Sequence, residues 1–127
     1  EIPRGSAAII DVFNERARQK EVEGWTADHD DEHTDGSLAR AAACYALPDE
    51  FRRYVRKTGK RDVGRSVDEP VLINVDSVVP SDWPYSWAGW WWKPKDRRRD
   101  LVRAAALLIA EIERLDRAEP PQAKEME

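Results

Sequence analysis

A chain of 127 residues is long enough to bury one hydrophobic core and too short for two ordinary ones. Charged residues make up 36% of it, but 21 lysines and arginines against 25 aspartates and glutamates leave a formal charge of only −4, which excludes a general pull toward nucleic acid or an anionic membrane. The single cysteine, Cys44, excludes an intrachain disulfide and fits a reducing compartment, so the cytoplasm is the expected location. No apolar run approaches the roughly 18 residues that span a bilayer. The first residues lack the layout of a signal peptide, and Glu1 is not expected to be a native start.

Ser6 is a good N-cap, and Ile10, Phe13 and Ala17 recur at helical spacing behind it, which predicts a first helix ending near Gly24. Trp25 to Asp35 holds four aspartates, one glutamate and two histidines and reads as a polar loop. Asp35 or Ser37 then caps a second helix with Leu38, Ala41, Ala42 and Tyr45 on one face, stopped by Pro48. Pro48–Asp49 opens a predicted third, short helix with Phe51, Tyr54 and Val55 inward, closed by Gly59. Lys60 to Glu69 is a charged connection, and the β-branched cluster from Val71 to Val79 predicts one or two short strands.

Pro80 to Pro94 contains three prolines and five of the six tryptophans, so an ordered aromatic loop is expected rather than a helix. Asp96 caps the final helix, which is predicted to run to about Asp116 with Leu101, Ala105, Leu108, Ile112 and Leu115 on one face at spacings of 4, 3, 4 and 3. These elements make a mainly α fold: one compact helical domain over 7–117 with a short β segment and a Trp-rich ordered loop before the last helix. Residues 118–127, with Pro120–Pro121 and no apolar partners, are expected to be a disordered tail.

Six tryptophans is an unusual number for this length, and the rings of Trp90, Trp91 and Trp92 cannot all point one way. One reading makes the rings core fillers, each indole N–H bonded to a carbonyl. The other makes some of them a stacking wall for a planar ligand, with the arginines after Asp96 and the start of the last helix available to a phosphate. An Asp96 cap would occupy the same helix donors. His29–Asp30–Asp31–Glu32–His33 formally fits the H-x-x-E-H arrangement of inverted zinc proteases, but a segment poor in helix formers and without a further ligand favours a solvated loop. No base is evident beside Cys44, which reads as a small core residue.

Three features occur together: Glu23–Gly24–Trp25–Thr26 after a helix carrying Glu15–Arg16, the approach Trp91–Trp92–Lys93–Pro94, and Asp96–Arg97 opening a leucine-rich helix. Together they resemble a set of small bacteriophage and prophage proteins, mostly of unassigned function, which implies a host-cytoplasm location. The first and third also resemble the RyR domain, a helical repeat with a Gly-Trp element after its first helix and a Lys, Asp and Arg element before its last; Gly24, Trp25, Lys95, Asp96 and Arg97 are the matching positions. The chain lacks the His-Pro step common in that family and carries Lys60–Val79 instead. The resemblance implies a nucleotide-binding module rather than a catalyst. The last helix, with Glu113 and Asp116 in E-x-x-D spacing, also resembles all-α nucleoside triphosphate pyrophosphohydrolases of the MazG type, without their preceding E-x-x-E partner.

The resulting expectation is a protein that sequesters a small nucleotide, a cyclic or ADP-ribose-derived immune signal, as an anti-defence device. The ligand-binding candidates are Trp25, Asp30, Asp31, Trp87, Trp90, Trp91, Trp92, Lys95, Arg97 and Arg98. A tryptophan would stack on the base, arginines would pair with phosphate, and the acids would accept ribose hydroxyls. No cofactor, metal, membrane or nucleic-acid partner is expected, and spare helix faces suit a homo-oligomer. The alternatives are a MazG-like pyrophosphohydrolase, which would need magnesium held by acids such as Glu32, Asp35, Glu113 and Asp116, and a phage inhibitor that binds a host protein through its tryptophans.

Overall fold

Three of the described helices begin at side-chain caps. The Ser6 hydroxyl accepts from Ile9 N–H at 3.4 Å to start α1 (Ala7–Glu21), and the Asp96 carboxylate accepts from Arg99 N–H at 2.9 Å to start α4 (Arg97–Ala118). Between them the computed structural model, which describes residues 5–64 and 70–119, places α2 (Ala27–Asp31), α3 (Ser37–Ala46), β1 (Tyr54–Asp62) and β2 (Leu72–Pro80), with single 3-10 turns at Asp49–Phe51 and Gly89–Trp91. The fold is mainly α with a two-stranded antiparallel sheet. No described helix is long and apolar enough to cross a membrane. Residues 120–127 of the expected tail and 65–69 of the expected charged connection lie outside the described residues.

The core lies between α3 and α4. Leu38, Ala41, Ala42 and Tyr45 on α3 face Ala104, Leu107 and Ala110 on α4, and the alanines let the two backbones approach closely. Val79, Trp83 and Trp87 close this core from the side. The N-cap of α3 is Gly36 in place of the expected Asp35 or Ser37, with no side-chain cap: it adopts φ +80°, left-handed backbone that suits glycine, while the Asp35 carboxylate accepts from Ser37 N–H at 3.0 Å in the turn before the helix. At the other end of α3, Arg52 donates to the carbonyls of Cys44 (3.0 Å) and Tyr45 (3.2 Å) and pairs with the buried Asp100 at 3.4 Å. A cation at a helix C-terminus satisfies carbonyls that have no intrahelical donor.

Four expectations are corrected. The polar stretch after Trp25 contains a short helix, α2, capped by the Thr26 hydroxyl. The third helix predicted over Pro48 to Gly59 is instead one 3-10 turn followed by β1, which pairs with β2 in unbroken register from Tyr54↔Pro80 to Asp62↔Leu72. Tyr54, Val55 and Thr58 suit a pleated surface, and the partner strand decides the outcome over local helical spacing. In α1 the buried side chains are Glu15, Arg16 and Gln19, while Ile9 and Phe13 are exposed. In α4 the stripe Leu101, Leu108, Ile112 and Leu115 also faces outward, and the packed side is formed by Val102, Ala106, Leu107 and Ala110.

The segment from Ser81 to Asp96 has only the turn Gly89–Trp91 as regular structure and runs across the hairpin and the core. A Cβ at Gly89 would lie 2.6 Å from the Ser77 Cβ, so glycine is what lets this turn rest on β2.

Candidate functional site: an aromatic cleft

Trp25 is brought into position by Gly24, whose φ of +73° reverses the chain after α1, and by its own N–H, which donates to the Gln19 carbonyl at 2.9 Å. Its ring stacks parallel to that of His29 on α2, with centroids 6.0 Å apart, and meets the edge of Trp87 at 5.5 Å. Trp87, only 2% exposed, also touches Trp83, Trp91 and His33 and forms the hub of the aromatic cluster.

Trp91, 39% exposed, ends the Gly89–Trp91 turn. The chain beyond it is pinned by Tyr45, whose hydroxyl accepts from Lys93 N–H at 3.1 Å and donates to the Trp91 carbonyl at 3.4 Å. Arg103 on α4 completes the arrangement. One guanidinium nitrogen reaches the Lys93 carbonyl at 2.5 Å and the Tyr45 hydroxyl at 3.4 Å, and the group lies 5.1 Å over the Tyr45 ring. Burial pushes the Tyr45 phenol above its ordinary value, against the pull of the Lys93 N–H and Arg103, so it stays protonated.

These side chains enclose a cleft of about 270 Å³ lined by Glu23, Trp25, His29, Tyr45, Trp91, Lys93 and Arg103. Among the described residues, Arg103 Nε is buried without a hydrogen-bond acceptor, although the Glu15 carboxylate lies 3.9 Å away. Aromatic faces, two cations and one carboxylate suit a planar, anionic, hydroxyl-bearing molecule.

Of the ten ligand-binding candidates read from the sequence, Trp25 and Trp91 line this cleft. Trp87 lies in the core. Trp92 packs on Tyr45 and Trp83 with Arg52 4.9 Å over its ring, and Trp90 lies against Gly59 of the hairpin with Arg61 over it. Asp30 is fully buried and holds Arg16 at 2.7 Å, and Asp31 pairs with Arg117 at 2.8 Å. Lys95 donates its N–H to Asp100, Arg98 pairs with Asp11 at 2.8 Å, and Arg97 is exposed; none of the three lines the cleft. The Asp96 cap takes up a donor at the start of α4, the place that one reading of the sequence left open to a phosphate.

Tyr45, Lys93 and Arg103 do line the cleft, and they had no place among the sequence candidates. Arg103 had left a trace in the sequence: it stands four residues before the buried Leu107 on the packed side of α4, where a cation needs a partner.

Among the described residues no group of three or more His, Cys, Asp and Glu side chains is gathered to hold a metal ion. The Glu113 carboxylate is paired with Arg16 at 3.1 Å, and Asp35 accepts from Ser37 N–H and the Ser86 hydroxyl. His29 and His33 approach each other, Nε2 to Nε2, at 3.5 Å. Burial, then the neighbouring His29, lower the His33 pKa, so its neutral form is favoured. Burial, with Asp82 adding to it, pushes the Cys44 thiol up to about 11. Native protein is therefore expected to leave a thiol-reactive chromogenic disulfide unreacted over minutes and to consume one equivalent once unfolded in urea; rapid reaction of the native chain would contradict the buried placement.

The chain matches no protein-family model, and no curated protein or solved structure matches it.

Proposed function

We propose that the chain binds a small nucleotide in the aromatic cleft and holds it without chemical change. One observation carries the reading: Trp25, Trp91, Lys93 and Arg103, contributed by separate stretches of sequence, converge on one cleft. In this mode an exposed indole face stacks on the base, Arg103 and Lys93 meet the phosphate, and Glu23 accepts a ribose hydroxyl. The cleft, at about 270 Å³, is at the small end for ligand sites, so one nucleoside phosphate unit fills it. The rest of a cyclic dinucleotide or an ADP-ribose derivative would extend into solvent. Sequestration of such an immune signal is the finer form of the proposal, supported by the resemblance to phage proteins and RyR domains.

The test incubates the protein with magnesium and a mixed panel of nucleoside triphosphates, cyclic dinucleotides and ADP-ribose derivatives. Unbound material is then removed, the protein denatured and the released nucleotides identified by chromatography. Recovery of one intact species is expected. Trp91→Ala is expected to weaken its binding by roughly 5- to 100-fold, the equivalent of one lost base stack. Conversion to a monophosphate and pyrophosphate would replace this reading with the pyrophosphohydrolase one, and a panel neither retained nor cleaved would end both.

A further inference from the structure

Helix α4 is apolar on two opposite sides. Val102, Ala106, Leu107 and Ala110 pack inward, while Leu101, Leu108, Ile112 and Leu115 stand 42–56% exposed. With Ala105 between them, the outward residues are spaced 4, 3, 4 and 3, an average of about 3.5 that matches the seam of a coiled coil rather than the wider stripe of a helix lying on a core. A second apolar stripe opposite the packed one asks for a second cover.

The neighbouring helix repeats the pattern. α1 buries Glu15, Arg16 and Gln19 and turns Ile9 (55%) and Phe13 (44%) to solvent, beside a groove of about 570 Å³ that Ile109 of α4 also lines. Ile109 lies next to Leu108 in sequence and one turn from Ile112, so the seam and the groove form a continuous surface. The exposed parts of these side chains come to the order of 600 Å² per chain, close to the roughly 800 Å² that each partner gives to a stable interface once its polar rim is added.

We infer that a second copy of this chain covers this surface, its α4 lying antiparallel to the first across a two-fold axis at Leu108. The ends of the seam carry the argument for a copy and for its direction. Arg98, three residues before Leu101, stands as a cation at one end, and the exposed Glu119, the C-cap residue of α4 just beyond Leu115, stands as an anion at the other. Arg97 adds a second exposed cation at the first end, while Arg98 already shares Asp11. An antiparallel copy sets each basic end against the partner's acidic end, and it pairs Leu101 with the partner's Leu115. A parallel copy would set like charges together. The pairing is isologous, so one surface serves both chains. Arg103 lies on the opposite side of α4, so the aromatic cleft stays open in each protomer.

Sedimentation equilibrium of the whole chain tests the association. A dimer is expected, and Leu108→Glu is expected to make it monomeric with unchanged far-ultraviolet dichroism, since a half-exposed side chain is replaced without disturbing the core. The direction is read by mild oxidation of cysteine variants, which the buried native thiol leaves clean. Leu108→Cys is expected to cross-link to itself, and Leu101→Cys to link to Leu115→Cys when the two variants are mixed but not to itself. A wild-type chain that is monomeric at every concentration, a Leu108→Glu variant that stays dimeric, or a Leu101→Cys variant that links to itself would each overturn the inference.

Discussion

Trp87→Ala is expected to lower the free energy of unfolding by about 3–5 kcal/mol, measured by urea denaturation followed by circular dichroism. The ring is 2% exposed and stands within 5.7 Å, centroid to centroid, of Trp25, Trp83, Trp91 and His33, so its removal opens a cavity that these rings can only partly collapse into. Trp25 and Trp91 also line the cleft, so the substitution is expected to weaken nucleotide binding together with stability. Trp87→Phe separates packing from hydrogen bonding. It leaves a smaller void and deletes an indole N–H that is buried without a hydrogen-bond partner among the described residues, so its loss should be well below that of alanine. A loss of less than about 1 kcal/mol for Trp87→Ala would show that this ring is not the hub.

How much of this was legible in the sequence depended on how far each signal reached along the chain. α3 was readable because its small apolar face and its stopping proline lie close together along the chain. The starts of α1 and α4 were readable from Ser6 and Asp96, which act as caps in the structure. The hairpin was only half visible. β2 announces itself through Val75, Val78 and Val79, whereas β1 is mostly charged and becomes a strand because β2 pairs with it.

The inward faces of α1 and α4 were misjudged for a different reason. Periodicity identifies an apolar stripe but does not say what covers it, and here the buried faces of α1 carry Glu15, Arg16 and Gln19. The tryptophan run showed that aromatic rings would dominate one region, but it could not separate Trp87 in the core from Trp91 at the cleft. That division follows from the turn at Gly89 against Ser77 and from the anchoring of Lys93 by Tyr45, both long-range contacts.

Glu15 is the point at which the polar packing of α1 is most open to test. Its carboxylate is fully buried and takes Arg18 at 2.7 Å, Arg99 at 2.5 Å and Gln19 Nε2 at 3.2 Å. Burial raises its pKa, but the hydrogen bonds and charges of Arg18 and Arg99 outweigh burial and hold it below its ordinary value. Glu15→Gln keeps the shape and removes the charge, leaving arginines packed around a neutral amide. A loss of about 3 kcal/mol at neutral pH is expected, at the lower end for a broken buried pair because Arg18 and Arg99 are about one third exposed.

The pH dependence distinguishes the lost charge from altered hydrogen bonding by the amide. A carboxyl whose folded pKa lies below its unfolded value near 4.5 stabilises the fold above that value and loses the contribution as pH falls through the folded pKa. The gap between wild type and Glu15→Gln should therefore narrow in acid and be constant above about pH 6. His33 acts in a different window. Its folded pKa is lowered from 6.5, so the unfolded chain takes up the proton first and stability falls as pH drops below that value, equally in wild type and variant. A gap that stays the same width from neutral pH into acid would mean that the loss comes from the hydrogen bonding of the new amide and not from the missing charge, and the ionic reading of the α1–α4 contact would then fail.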